Sequence, residues 1–329
     1  MPEFPKPRVR YAYDPAAEVA RLRRHRRVRG VPRKTAGELL VATWNVANFG
    51  AHDRRDADHR LIAEVLSWFD VTALQECRSN YGGLFDVLHH LNGGRPSGGG
   101  PGAGRYAVLM SDAAGNDERM VFVYDRRKLA VLEEVGEVAV PVSEMRRVRV
   151  PGVAAPFAGF DRTPYLASFR LGEDLSVQLV NVHLYYGADD RAARERRALE
   201  TAAVARWAGA RRRSRFLFGR ELVALGDFNL PKPGTLGPGV VYTALTMTGL
   251  VVPAHATRVP TAVAGDNQYD QVAYFPETSR RCLVAHGVYD FDAVVFPDLW
   301  QRHPRTTFTG YLRYYLSDHR PMWLQLRMR

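Results

Sequence analysis

Eight short apolar runs in this chain have the length of strands, and they alternate with stretches whose apolar residues recur at helical spacing. The runs are Leu39–Val46, Val71–Gln75, Tyr106–Met110, Met120–Tyr124, Val177–Leu184, Leu222–Leu225, Asp270–Phe275 and Met322–Leu326. Helical spacing marks residues 58–69, where Leu61, Ile62, Val65, Leu66 and Phe69 share a face. It also marks residues 190–213, through Leu199, Val204 and Trp207. Alternation of this kind predicts an α/β fold. No linker interrupts residues 38–329, so one large domain is expected there. Residues 92–104 hold seven glycines and two prolines and read as a flexible loop.

Charge divides the chain differently. The net charge is +11, yet residues 1–37 carry eleven Lys and Arg against Glu3, Asp14 and Glu18, leaving only +3 for the remainder. This basic N-terminal arm, residues 1–37, contains a predicted short helix over 15–29. Asp14-Pro15 supplies its cap and first position, Gly30 its stop, and Val19 and Leu22 a docking face. Such an arm is either a solvated helix covering an edge of the domain or a sequence-independent phosphate contact. No apolar run approaches the roughly 18 residues of a bilayer span, so no membrane insertion is expected. The N-terminus lacks the apolar stretch of a secretory signal, which makes a cytoplasmic location the expectation. Two cysteines, Cys77 and Cys282, exclude a disulfide scaffold. A monomer is the default.

Several strands end in polar residues that a strand interior would not select. Leu39–Val41 leads to Thr43-Trp44-Asn45, Val71–Leu74 to Gln75-Glu76, and Val180 to Asn181-Val182-His183. Val223–Leu225 leads to Gly226-Asp227-Phe228-Asn229, and Leu316 to Ser317-Asp318-His319. One such residue is ordinarily a turn former, a cap or a hydrogen-bonded structural group. Together, carboxylates, amides and imidazoles collected at strand ends suit a site for a hard cation with oxygen ligands.

These five motifs, in this order and spacing, resemble those of the endonuclease/exonuclease/phosphatase superfamily over residues 38–329. The resemblance is nearest to the deoxyribonuclease I-like nucleases, through Gln75-Glu76-Cys77-Arg78, Glu118-Arg119, Asp161-Arg162-Thr163-Pro164, and Tyr269-Asp270-Gln271 with Thr261 upstream. It implies a four-layer α/β/β/α sandwich, two packed mixed sheets flanked by helices. The implied activity is divalent-metal-dependent phosphodiester hydrolysis of a nucleic acid, DNA ahead of RNA. Mg²⁺ is the implied ion, with Mn²⁺ as a substitute and Ca²⁺ as a structural or auxiliary one.

The resemblance also implies roles. Glu76, Asn45 and Asp318 would hold the metal. Asp227 and Asn229 would orient the attacking water and the phosphate. His319, fixed by Asp270, would be the general base, with Asp227 the alternative. His183, paired with Glu118, would contact the phosphate and serve as acid, while Arg78, Arg162 and Thr261 would bind phosphate. His52, His59, His89 and His90 read as surface residues, Cys77 as a buried inert thiol, and Tyr185-Tyr186 as packing rather than a base-stacking pair.

Asn116 and Gln271 depart from the nuclease pattern, as do Leu230–Gly234 and the missing cysteine pairs. These departures touch duplex recognition rather than phosphate chemistry. The competing readings are a phosphomonoesterase, inositol phosphatase or sphingomyelinase on the same scaffold, and a non-catalytic nucleic-acid-binding module.

Overall fold

The apolar runs pair into two mixed sheets in the computed structural model. The model describes residues 4–94, 104–173, 175–188, 190–214, 217–219, 221–230, 238–253, 259–276 and 282–327. Most of the glycine-rich segment and nearly all of Leu230–Gly234 lie outside the described residues. The first sheet has the order β10 (Leu283–Val288), β11 (Met322–Arg327), β1 (Glu38–Phe49), β2 (Val71–Cys77), β4 (Arg119–Asp125) and β3 (Tyr106–Met110). The second runs β5 (Leu129–Glu137), β6 (Tyr165–Leu171), β7 (Leu175–His183), β8 (Glu221–Asp227) and β9 (Asp270–Tyr274). Only the central pairs β1–β2 and β7–β8 are parallel, and the other neighbours are antiparallel.

Strand alternation explains the layering. Leu39, Val41, Val71, Ala73 and Phe122 turn inward from the first sheet and meet Phe169, Leu179, Val223, Leu225 and Val272 of the second. The opposite faces are covered by helices, giving the four-layer sandwich that the motifs implied. On the first sheet lie α1 (Pro15–Val28), α2 (Asp56–Leu66), α3 (Gly82–Leu91), α7 (Pro297–Arg302) and α8 (Arg305–Tyr315). On the second lie α5 (Arg191–Arg212) and α6 (Pro238–Thr246), with the single turn α4 (Val142–Met145) beside them. The strands β5, β6 and β10 were absent from the eight apolar runs, since β5 and β10 mix polar and exposed positions throughout.

α1 starts where the sequence placed it. The Asp14 side chain accepts from the Ala16 N–H at 2.9 Å, and Val19 and Leu22 are buried in the core beneath the first sheet's helices. Further ties join this segment to the rest of the molecule. Tyr13 donates to Asp58 at 2.6 Å, Arg23 pairs with Glu64, and His25 and Arg29 pair with Asp290. Glu18, itself buried, accepts from the Phe296 N–H at 3.1 Å.

Polar residues also cross the sandwich. Gln75 donates to Asn181 at 2.6 Å, and Asn181 in turn donates to the carbonyls of Leu74 and Val121. This buried network clamps the strand ends of the two sheets together beside the site.

Candidate active site

The motif residues converge where β1 and β2 meet β7, β8 and β9, with Asp318 and His319 supplied by the turn between α8 and β11 rather than by a strand end. Asp227, the last residue of β8, is wholly buried at the centre. Its Oδ1 accepts from the Asn229 N–H at 2.8 Å, and its Oδ2 accepts from Asn45 Nδ2 at 3.1 Å. Two imidazoles face that same Oδ2, His183 Nε2 at 3.7 Å and His319 Nε2 at 4.0 Å. Each imidazole is backed by a carboxylate on its other nitrogen. Asp270 lies 2.8 Å from His319 Nδ1, and Glu118 lies 3.0 Å from His183 Nδ1.

Local backbone geometry aims these groups. Glu76 has φ +60°, Asn48 +50° and Asn229 +52°, so three non-glycine residues of one site occupy the left-handed region, at about 1–3 kcal/mol each. The turn at Glu76 coincides with shifts in the β1–β2 and β2–β4 registers, which redirect its carboxylate out of the strand's alternation. Glu76 then accepts from Asn45 Nδ2 at 3.0 Å and from the Asn48 N–H at 2.7 Å. Gly226, before Asp227, has φ +138°, and a Cβ there would lie 2.1 Å from the Val182 carbonyl oxygen. No other residue lets β8 approach β7 so closely.

The charges follow from these contacts. Burial alone would lower the His319 pKa. The Asp270 charge and hydrogen bond, then Asp227 and Asp318, overcome burial and raise it well above the ordinary value. Burial would raise the Asp227 carboxyl, but the two imidazoles and the donors Asn229 and Asn45 hold it below the usual range. For Glu118, burial is again opposed, by His183 and by Arg162, and its pKa falls well below that of a free carboxyl.

Three residues expected to meet phosphate or metal are placed against protein groups. Thr261 is fully buried, and its hydroxyl oxygen accepts from the Asp270 N–H at 3.1 Å, so it props the carboxylate behind His319 instead of reaching a phosphate. Arg162 is buried too. Its Nε and Nη2 donate to the carbonyls of His183 and Leu184 at 3.0 and 3.1 Å, and Nη1 donates to Asp161 at 2.9 Å. Its fork is thus directed at protein acceptors at the end of β7. Asn45 turns its amide nitrogen towards Glu76 and Asp227 while its oxygen accepts from the Ala47 N–H at 3.0 Å. In this arrangement the Asn45 amide bridges the carboxylates of Glu76 and Asp227.

The remaining residues stand as follows. Arg78 donates to Asn48 Oδ1 at 2.7 Å and to the Asn116 carbonyl, and lies 3.5 Å from Glu118. Asp318 pairs with Arg313 at 2.8 Å, and Glu76 acts on it electrostatically. Asn229 Nδ2 donates to the Leu184 carbonyl at 2.7 Å. Cys77 is buried in the core, where desolvation pushes its thiol pKa up, as an inert thiol requires. His52 and His59 are buried, contrary to the surface reading. His52 stacks on Tyr314 at 4.3 Å, and His59 lies 3.1 Å from Asp86.

Some contributors had no site role assigned from sequence. Asn48 supplies both an N–H to Glu76 and an oxygen to Arg78. The buried Glu200 accepts from the Asp161 and Tyr185 N–H groups at 3.0 and 2.9 Å, fixing the loops on either side of Arg162 and His183. A lone acid amid the apolar positions of α5 was its only signal. Tyr269 lies 5.8 Å from the His319 ring and meets Tyr186 edge-on at 6.2 Å. Burial, with the Tyr186 phenol beside it, pushes the Tyr269 pKa up to about 12.

The sequence profile of the Endonuclease/Exonuclease/phosphatase family matches residues 42–319, the span from β1 to His319. The chain belongs to that family. No curated protein matches it by sequence. Among solved structures it is similar to an endonuclease/exonuclease/phosphatase family protein from Bacteroides thetaiotaomicron, with 17% identity and a TM-score of 0.56 over 89% of this chain and 95% of that one. It is also similar to a mannosyl-6-phosphatase from the same species, with 17% identity and a TM-score of 0.51 over 88% and 99% of the two chains. An AP endonuclease from Archaeoglobus fulgidus gives 15% identity and a TM-score of 0.51 over 87% and 98%. At these identities the likeness is one of fold.

The family's enzymes typically depend on a divalent metal. Among the described residues, Asp227, Asp270 and His319 form a group of acidic and imidazole side chains whose ligand atoms lie within 4.8 Å of one another. Such a group could hold a divalent ion. No helix among the described residues is long and apolar enough to cross a membrane.

Proposed function

We propose that this protein is a divalent-metal-dependent phosphodiesterase, a nuclease whose first substrate to test is DNA. The observation that carries the reading is the convergence of two carboxylate-backed imidazoles on the single buried oxygen Asp227 Oδ2. A buried carboxylate facing two imidazoles is a device for moving protons and orienting water, which phosphodiester hydrolysis requires.

The oxygen donors beside it fit a hard cation. Glu76 and Asp318 are carboxylates close enough to repel one another, and a cation relieves that repulsion. Glu76 and Asp318 would hold Mg²⁺, and Asn45 would steady Glu76. The ion supplies Lewis-acid stabilisation of charge developing on the phosphoryl oxygens. His319, with Nδ1 held by Asp270, directs Nε2 towards the reaction space and, because its pKa is raised, takes the proton from water only as rising pH frees Nε2. Asp227, fixed by Asn229 and Asn45, orients that water. His183 Nε2 is buried without a hydrogen-bond partner among the described residues and is aimed at the same space, which suits a contact to the scissile phosphate.

A diester is favoured over a monoester by the arginines. Arg162 is engaged by carbonyls and Asp161, and Arg78 by Asn48, Asn116 and Glu118, so neither stands ready for the second charge of a phosphomonoester. The mannosyl-6-phosphatase shares the fold, and fold does not choose the substrate. The test is a substrate panel of supercoiled, linear and single-stranded DNA, RNA, and a sugar phosphate, run with Mg²⁺ and then with a chelator. Chelator-sensitive cleavage of DNA is expected, and turnover of the sugar phosphate alone would overturn the reading.

A further inference from the structure

At the end of the first sheet opposite the catalytic residues lies an open cleft of about 520 Å³ walled by Arg23, Arg26, Arg27, Arg33, Lys34 and Arg105. β1 runs from Glu38 at this end to Asn45 at the other, seven residues or about 23 Å, so the two sites are well separated. The walls are firmly built. Arg23 makes a two-pronged contact with Glu64, which also accepts from the Trp68 indole at 2.9 Å, and Arg26 lies over the Trp68 ring at 5.1 Å. Arg26 further donates to the carbonyls of Val31 and Pro32.

The carboxylates behind the cleft are already shared. Lys34 and Lys128 both approach Asp70, and Lys34 and Arg105 both approach Asp125. The exposed side chains of Arg27 and Arg33 make no hydrogen bond or ion pair among the described residues. Burial lowers the Lys34 pKa to about 8, and the neighbouring Arg105 and Lys128 charges add to that lowering against the pull of Asp70 and Asp125. Cations are therefore crowded in a rigid frame with too few anions to balance them. A multivalent anion lying in the cleft would relieve that crowding.

We infer that this cleft binds the phosphate backbone of a nucleic-acid strand, away from the catalytic centre. Its open shape suits a chain that passes across it, and Trp68 is buried, so recognition is by charge rather than by stacking on a base. The contact is independent of sequence and of the chemical step.

Binding of a labelled twenty-residue oligothymidylate, followed by fluorescence anisotropy in chelator so that no cleavage occurs, tests this directly. The variant R27E/R33E should bind roughly thirtyfold more weakly, with the salt dependence reduced by about 1.4 in slope, because two phosphate contacts are lost. R146E/R149E makes the same charge change at exposed positions outside the cleft and should bind as the wild type does. Thermal unfolding of both variants checks that the fold is retained. Equal binding by R27E/R33E and wild type, or equal losses in the two variants, overturns the inference. So does tight binding of tripolyphosphate by a wild-type protein that does not retain the oligonucleotide. The assay needs no turnover, so its outcome is separate from that of the substrate panel.

Discussion

The two imidazole–carboxylate pairs flanking Asp227 are alike in geometry and unlike in surroundings. His319 and His183 lie within 0.3 Å of each other in their distance from Asp227 Oδ2, and each is held by a carboxylate at 2.8–3.0 Å. Behind Glu118, however, stand Arg78 and Arg162, each 3.5 Å away. Asp270 donates its backbone N–H to Thr261 Oγ1, and among the described residues no arginine pairs with its carboxylate. The arginines draw on the charge of Glu118, whereas the charge of Asp270 acts chiefly on its imidazole. This difference supports the proposed division of labour, with proton transfer at His319 and phosphate contact at His183.

Substitutions can break that comparison. The largest effect is expected for His319→Ala, with kcat on DNA falling by about 10³–10⁴. Asp270→Asn should follow, at roughly 10²–10³, because an amide can stabilise the wrong tautomer. Both are read from single-turnover cleavage. His183→Ala should cost less, roughly 10²-fold, and should raise KM as well as lower kcat.

Glu118→Gln should act mainly on stability, by about 3 kcal/mol in urea unfolding at neutral pH, since it leaves one imidazole and two guanidinium groups without their buried carboxylate. The folded-state pKa of Glu118 is depressed, so its contribution is complete above the unfolded value near 4.5 and drains away as pH falls towards the folded one. The gap in stability between wild type and variant should therefore narrow below about pH 4.5. A gap that widened in acid would contradict the assignment.

The smallest of these contrasts concerns Arg162→Lys, expected to lower kcat several-fold with little change in phosphate affinity. A lysine cannot hold both the His183 and Leu184 carbonyls, and in this arrangement the residue does not reach phosphate. A large rise in KM without loss of kcat would instead restore the direct phosphate contact.

Much of the site was legible because a buried polar residue closing an apolar strand is conspicuous. Glu76, His183 and Asp227 announce themselves this way at β2, β7 and β8, whereas Asp318 and His319, expected at a strand end after Leu316, lie in the turn between α8 and β11, and the structure brings all these segments together. What could not be read was the use of each polar group once neighbours arrive. Arg162 and Thr261 have side chains suited to phosphate, yet tertiary contacts with carbonyls and with the Asp270 backbone claim them first. Asn48 and Glu200 act through single hydrogen bonds that leave no pattern in sequence. The burial of His52 depends on a stacking partner, Tyr314, that lies 262 residues away. The fold was readable to the same degree. Continuous apolar strands such as β1 and β8 stood out, whereas half-exposed β5 did not.

The charge of the N-terminal segment illustrates the same limit. Its basic residues left open whether it covers an edge of the domain or contacts phosphate; Val19 and Leu22 are buried as the docking face the sequence predicted, and the buried Glu18 beside them was not foreseen. Removal of residues 1–37 is accordingly expected to lower the thermal midpoint as well as nucleic-acid affinity.

The central claim is that the two imidazoles act as one unit around Asp227. A double-mutant cycle on His183 and His319, measured as kcat/KM for Mg²⁺-dependent DNA cleavage, tests it most directly. In the His319→Ala background, His183→Ala should cost less than threefold further, because the unit is already broken. If the two losses instead multiply in full, the imidazoles act independently and the account of a shared centre at Asp227 is wrong.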